Sequence, residues 1–133
     1  MRFVVLVKAN KDIEAGVLPT REAFEEMGKF NEGLAKDGML IALDGLRPSS
    51  KGTRLRFDGG RATVIDGPFA ETKELVAGFW IVQCNSHEEV VERFSHAPFD
   101  GGNVIEIREC YEPEDFDEDI AAGLRERRQR AGL

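Results

Sequence analysis

Asp66, Glu71, Thr72, Lys73 and Glu74 crowd polar side chains into one short stretch, directly before the apolar run 76–84. Polar groups converging at the mouth of an apolar cavity are how small-molecule sites orient their ligands. In that setting a lysine flanked by carboxylates serves as proton donor or anion clamp, and an aspartate as base or orienting acid. Asp66 is therefore the candidate catalytic residue, with Glu71, Thr72 and Lys73 as candidate ligand contacts. The competing reading of Glu71, Lys73 and Glu74 is an ion-paired, solvated loop, the ordinary state of surface charges.

A second polar group precedes it. Asp44-Gly45-Leu46-Arg47-Pro48 follows a strand-like stretch, and if it reaches the same cleft, Asp44, Arg47 and Asp66 together can hold a polar or anionic metabolite, with Arg47 as the bidentate group. The alternative is a loop salt bridge. His87 falls in the first turn of a helix, where the dipole favours a neutral ring, and His96 at its end, where positive charge is favoured. Neither has ligand-like spacing to another His or Cys, so no metal and no cofactor is expected.

The chain of 133 residues is 41% hydrophobic, enough for a single domain with its own core. A formal charge of −7 repels a phosphate backbone, which argues against nucleic acid as a partner. The apolar stretch at residues 1–8 is too short for a signal segment or a membrane span, so a cytoplasmic protein without membrane contact is expected. Cys84 and Cys110 lack CxxC spacing, so they read as small buried hydrophobes on strands rather than a disulfide framework or zinc site.

Apolar periodicity supplies the elements that must position these groups. Residues 3–7 read as a central strand covered on both faces. Thr20 caps a helix with Ala23, Met27, Phe30 and Leu34 on one side and Phe24 widening the stripe, ended by Gly38. Residues 39–46 form a second strand. Residues 53–57 and 61–65 form a hairpin around Asp58-Gly59-Gly60, whose residues tolerate positive φ.

Residues 76–84 form a further strand, and Ser86 with Glu89 makes a capping box for a helix with Val90, Val91 and Phe94 inward. Residues 104–110 alternate as an edge strand, Ile105 and Ile107 on one face, Glu106 and Arg108 on the other. Residues 113–130 suggest a C-terminal helix, acidic first and basic last, which complements the helix dipole.

The sum is β-α-β, hairpin, β-α-β: an α+β, ferredoxin-like split βαβ plan with an inserted hairpin, residues 1–112, and a C-terminal helical extension, residues 113–133. Both helices then cover one sheet face. Along 76–82, Val76, Gly78, Trp80 and Val82 point one way and Ala77, Phe79 and Ile81 the other, so both faces are apolar. A large bare apolar face is rare on a soluble monomer, which predicts a homodimer with the sheets facing each other. Cys84 and Cys110 fall on strands separated by a third, about 9–10 Å apart, beyond disulfide reach.

Asp66-Gly67-Pro68-Phe69, running on through Ala70-Glu71-Thr72-Lys73-Glu74, resembles the signature of the DGPF branch of the YCII-related family, and the 44–48 segment resembles another segment of that family. The resemblance implies a dimeric α/β barrel, a fold whose relatives include isomerases and lyases of ring compounds. In the wider family it implies an active site built on a histidine from the first helix with an aspartate partner. This chain departs from that pattern, having no histidine before His87 and offering Phe24, Met27 and Phe30 on the helix's inner side.

The motif also has a structural reading. Pro68 restricts Gly67 and its own φ, Asp66 caps the turn, Phe69 anchors in the core, and the whole becomes a rigid connector. Two function classes stand side by side. One is a small-molecule site in the barrel, with acid-base chemistry at Asp66. The other is a non-catalytic accessory protein using its charged C-terminal helix to bind a partner, since DGPF relatives are often encoded beside, or fused to, alternative sigma factors of bacterial transcription.

Overall fold

In the computed structural model, which describes residues 1–133, alternation along β1 (Arg2–Lys8) buries Phe3 and Val5 completely against a layer of helices. From the same layer Leu34 comes from α2 (Arg21–Lys36), and Val90 and Phe94 come from α3 (His87–Ser95). A short helix, α1 (Lys11–Glu14), capped by Asn10, interrupts the loop after β1. Thr20 caps α2 by accepting the Ala23 N–H, and Ser86 caps α3 by accepting the Glu89 N–H.

The main sheet also contains β2 (Leu40–Gly45), β5 (Val76–Gln83) and β6 (Ile105–Glu109), in the order β2-β5-β1-β6 with every neighbour antiparallel. The pairs joined through α2 and α3 are each split by a strand of the other pair. Between β2 and β5 the chain makes a separate hairpin of β3 (Thr53–Asp58) and β4 (Arg61–Asp66), turned by Gly59 and Gly60 at φ 57° and 83°. One residue of β2, Ile41, has no partner on β5: Leu40 pairs with Val82 and Ala42 with Ile81, so Ile41 is a bulge.

Trp80 on β5 is the centre of the core. Its indole meets Phe30, Phe94 and Phe99 edge-on, with centroids 6.3, 5.2 and 6.1 Å away. Its Nε1–H donates to Asn31 Oδ1 at 2.8 Å, so the one polar atom of the ring is satisfied.

Several expectations need correction. Phe24 is 69% exposed and Val91 45%, because the inner stripes of α2 and α3 are already filled by Met27, Phe30, Leu34, Val90 and Phe94. The C-terminal helix does not start at Pro113. A single 3₁₀ turn (Pro113–Asp115) comes first, held by Asp115 accepting the Glu112 N–H, and α4 (Glu118–Arg130) begins afresh with Asp117 accepting the Ile120 N–H. Central strand β1 has its inner face buried, but Val4 and Leu6 on the outer face are only half-buried. Cys84 and Cys110 stand one residue beyond their strands, half-buried, on either side of β1.

Gly28 sits inside α2 with ordinary helical φ and nothing within 4 Å of where a Cβ would stand. Gly28→Ala should therefore stabilise the fold by about 0.5–1 kcal/mol through helix propensity and a less flexible unfolded chain. The check is the urea midpoint; a midpoint equal to or below wild type would contradict it.

Candidate functional site on the open sheet face

The register assembles a surface on the sheet face away from the helices. One row across all strands reads Asp44, Phe79, Leu6, Glu106, and the next reads Ala42, Ile81, Val4, Arg108. An apolar floor of half-buried side chains is thus edged by charge on both outer strands, Asp44 on β2 and Glu106 on β6, about 14 Å of sheet apart. This follows from side-chain alternation, which sends residues of one parity to the same face.

Lys8 closes one end of the floor. Its side chain is only 16% exposed, and Nζ lies 3.7 Å from Glu106 Oε1 and 3.9 Å from Glu74 Oε2. Glu106 also meets Arg108 at 3.3 Å. At the other end Arg2 Nε and Nη2 both donate to Glu112 Oε1, at 2.9 and 2.6 Å. That hydrogen bond to Glu112 raises the Arg2 pKa above its ordinary value against the opposing effect of burial. Arg128 of α4 stands 3.9 Å from the other Glu112 oxygen, so the C-terminal segment is tied to this end of the face.

Asp44 is the sequence-stretch candidate that lies on this surface. Arg47 follows the end of β2, where Leu46 N–H donates to Ala77 O at 2.8 Å, and is exposed. No side-chain hydrogen bond or ion pair joins Asp44, Arg47 and Asp66. Glu71, Thr72 and Lys73 line a shallow concavity with Ala70 and Glu74, made by consecutive residues of one turn. Lys8, Glu106 and Glu14 were not singled out from the sequence. The alternation that puts Glu106 opposite Ile105 is readable there, but the pairing of Glu106 with Leu6 and Lys8 is a long-range fact.

Asp66-Gly67-Pro68-Phe69 forms a tight junction. Gly67 N–H donates to Gly52 O at 3.1 Å and Phe69 N–H to Ser49 Oγ at 3.0 Å. Ser49 donates its hydroxyl to Glu14 Oε2 at 2.5 Å and its N–H to Glu14 Oε1 at 2.9 Å. The Gly67–Pro68 peptide is cis. The Phe69 ring is half-buried outside the main core, with the Arg54 guanidinium 3.8 Å over it. The Asp66 carboxylate accepts no hydrogen bond, so the turn is held by Ser49 and Gly52 rather than by the aspartate side chain the sequence suggested.

No group of three or more His, Cys, Asp or Glu side chains is arranged to hold a metal ion. His96 pairs with Glu92 at 3.0 Å on the far side of the molecule, beside Arg93, whose guanidinium meets Asp37 at 2.7 Å. Burial pushes the Cys84 thiol up, consistent with an inert side chain rather than a nucleophile. No helix is long and apolar enough to cross a membrane.

Fold and face together define a mixed α+β module whose antiparallel sheet is covered by helices on one side. The chain belongs to the YCII-related domain family, whose model matches residues 1–114. It is 40% identical over 55 residues to an uncharacterised protein of Rhizobium meliloti (strain 1021), a match covering 41% of this chain. The match spans 44%, less than half, of that curated relative's length. Among solved structures it is similar to the 5-chloro-2-hydroxyhydroquinone dehydrochlorinase of Burkholderia phenoliruptrix AC1100, in complex with 2,5-dihydroxybenzoquinone, at 14% identity and a TM-score of 0.42, over 88% of this chain and all of that one.

Proposed function

We propose that this protein binds a small polar or anionic metabolite on the open face of its sheet, in a cleft completed when a second copy lays its own sheet opposite. The assembly is a ferredoxin-like dimeric α/β barrel of the DGPF branch, working in the cytoplasm. One observation carries the reading: an apolar floor of Val4, Leu6, Phe79 and Ile81 with no element laid over it, rimmed by Asp44, Glu106, Lys8 and Arg108. Such a floor takes the ring or hydrocarbon part of a ligand, and the rim orients its polar part.

Lys8 is held ready by two carboxylates that a ligand carboxylate can displace, and Arg47 supplies a second cation at the mouth. Asp44 and Asp66 are the candidate bases for lyase- or isomerase-like proton transfer. A second reading, a protein partner docked on the C-terminal segment, is favoured by exposed Tyr111 and by exposed Ile120 on the arginine-rich α4. It fits an accessory role in sigma-factor-dependent transcription.

A thermal-shift screen of small carboxylates and hydroxylated ring compounds tests the main reading. At least one compound at about 100 times its dissociation constant should raise wild-type stability by roughly 2.7 kcal/mol. The shift should disappear in Lys8→Met and shrink in Asp44→Asn, with Lys29→Met on the exposed side of α2 as a control away from the face. A shift that survives both rim substitutions places the ligand elsewhere and sinks the proposal.

A further inference from the structure

Strands β3 and β4 pair only with each other, and along them only Ile65 is even half-buried. The register puts Thr53/Asp66, Leu55/Val64 and Phe57/Ala62 on one side of this ribbon and Arg54/Ile65, Arg56/Thr63 and Asp58/Arg61 on the other. The second side turns toward the body, since Arg54 lies over Phe69. The first is apolar and bare: Leu55 is 55% exposed, Phe57 77% and Val64 62%. An isolated two-stranded ribbon is marginal in water, and a row of Leu, Phe and Val along it is stabilising only when covered.

Area indicates what covers it. The chain exposes 9898 Å², whereas a compact monomer of 14.8 kDa exposes about 7,000 Å². The open sheet face is a plane of only roughly 20 by 17 Å, and a standard interface hides about 800 Å² of each partner. The surplus of about 2,900 Å² is shared by the ribbon and the exposed α4, and of the two the ribbon carries the bare apolar row that can enlarge the sheet-face contact to the size of a stable interface.

The ribbon carries Arg54, Arg56 and Arg61 against Asp58 and Asp66, on a chain of formal charge −7. None of the three arginines pairs with a carboxylate of its own chain. All three stand on the side turned toward the acidic body of their own chain, which leaves the apolar side for a partner.

We propose that residues 53–66 are an arm that leaves its own fold and closes on a second copy of this chain, with Leu55, Phe57, Ala62 and Val64 against the partner. Asp66 lies on that same side, through its pairing with Thr53, so the arm delivers the aspartate of the motif to the boundary between copies. Each cleft then draws residues from both chains. This rests on the dimer proposed above and adds which surface secures it.

The test uses the full chain, comparing wild type with a Leu55→Ser/Phe57→Ser double variant. Sedimentation gives the association state and dissociation constant, and amide exchange of residues 53–66 is followed across a protein dilution series. Because both changed side chains are solvent-exposed within their own chain, Trp80 fluorescence should report an intact core in the variant. Expected are a wild-type dimer, arm amides that exchange at least about tenfold more slowly in the dimer than at dilution, and dissociation at least about a hundredfold easier in the variant. A wild-type dimer whose arm stays unprotected, with the variant dissociating equally, overturns the arm and leaves the dimer standing. A folded wild type that remains monomeric to about 100 μM overturns both and assigns the arm to a different protein.

Discussion

Gly67→Ala should lower stability by roughly 3 kcal/mol, the upper range for forcing volume into a packed place, and move the thermal midpoint down by about 10 °C. A Cβ on Gly67 would overlap the Ser49 carbonyl oxygen and stand 2.7 Å from the carbonyl carbon. Both obstacles are backbone, so no side chain can swing aside. Backing away would stretch the Gly67 N–H bond to Gly52 and the Phe69 N–H bond to Ser49, and Ser49 is itself fixed on both sides by Glu14. Gly45→Ala is the matched control, with nothing within 4 Å of its Cβ position, and should change stability by no more than about 0.5 kcal/mol. Equal midpoints for the two variants would show that the junction yields freely.

Trp80→Ala should cost about 4 kcal/mol, a large share of the roughly 5–15 kcal/mol that holds such a domain together. The indole is 5% exposed and is the common neighbour of Phe30, Phe94 and Phe99, so its removal opens a cavity between β5, α2 and α3 that rigid rings cannot refill. Asn31 loses the donor that its Oδ1 accepts from, but it is half-buried and can turn to water. The chain has a single tryptophan, so far-UV circular dichroism in urea is the measurement. A drop of under about 1 kcal/mol would mean the core repacks around the void.

The division between what was legible in the sequence and what was not follows from range. Thr20 and Ser86 as caps, Gly59 and Gly60 as the turn, and the two-sided character of 76–82 are local properties, and each stands in the structure as the residues imply. Phe24 and Val91 went the other way because periodicity ranks faces without saying when a face is full. The continuous helix suggested for 113–130 breaks because Asp115 and Asp117 each spend a carboxylate on capping, a competition that charge counting does not reveal. At the site, Asp44 was legible and its row partners were not: Glu106 and Lys8 join it only after strands from opposite ends of the chain are set side by side. The Glu14–Ser49–Phe69 chain of bonds has no sequence signature at all.

The unpaired Ile41 on β2 has a consequence for how copies of this chain can meet. The order β2-β5-β1-β6 leaves two open borders with unmet amide and carbonyl groups, each a template on which another chain could lay a strand. At β2 the extra residue breaks the ladder and sharpens the local twist. At β6 only five residues pair, and Glu106, Arg108 and Glu109 charge them. Strand-to-strand growth, which has no natural end and leads toward fibrils, is blunted at both borders. What remains open is contact through broad surfaces, which closes on itself after a fixed number of chains.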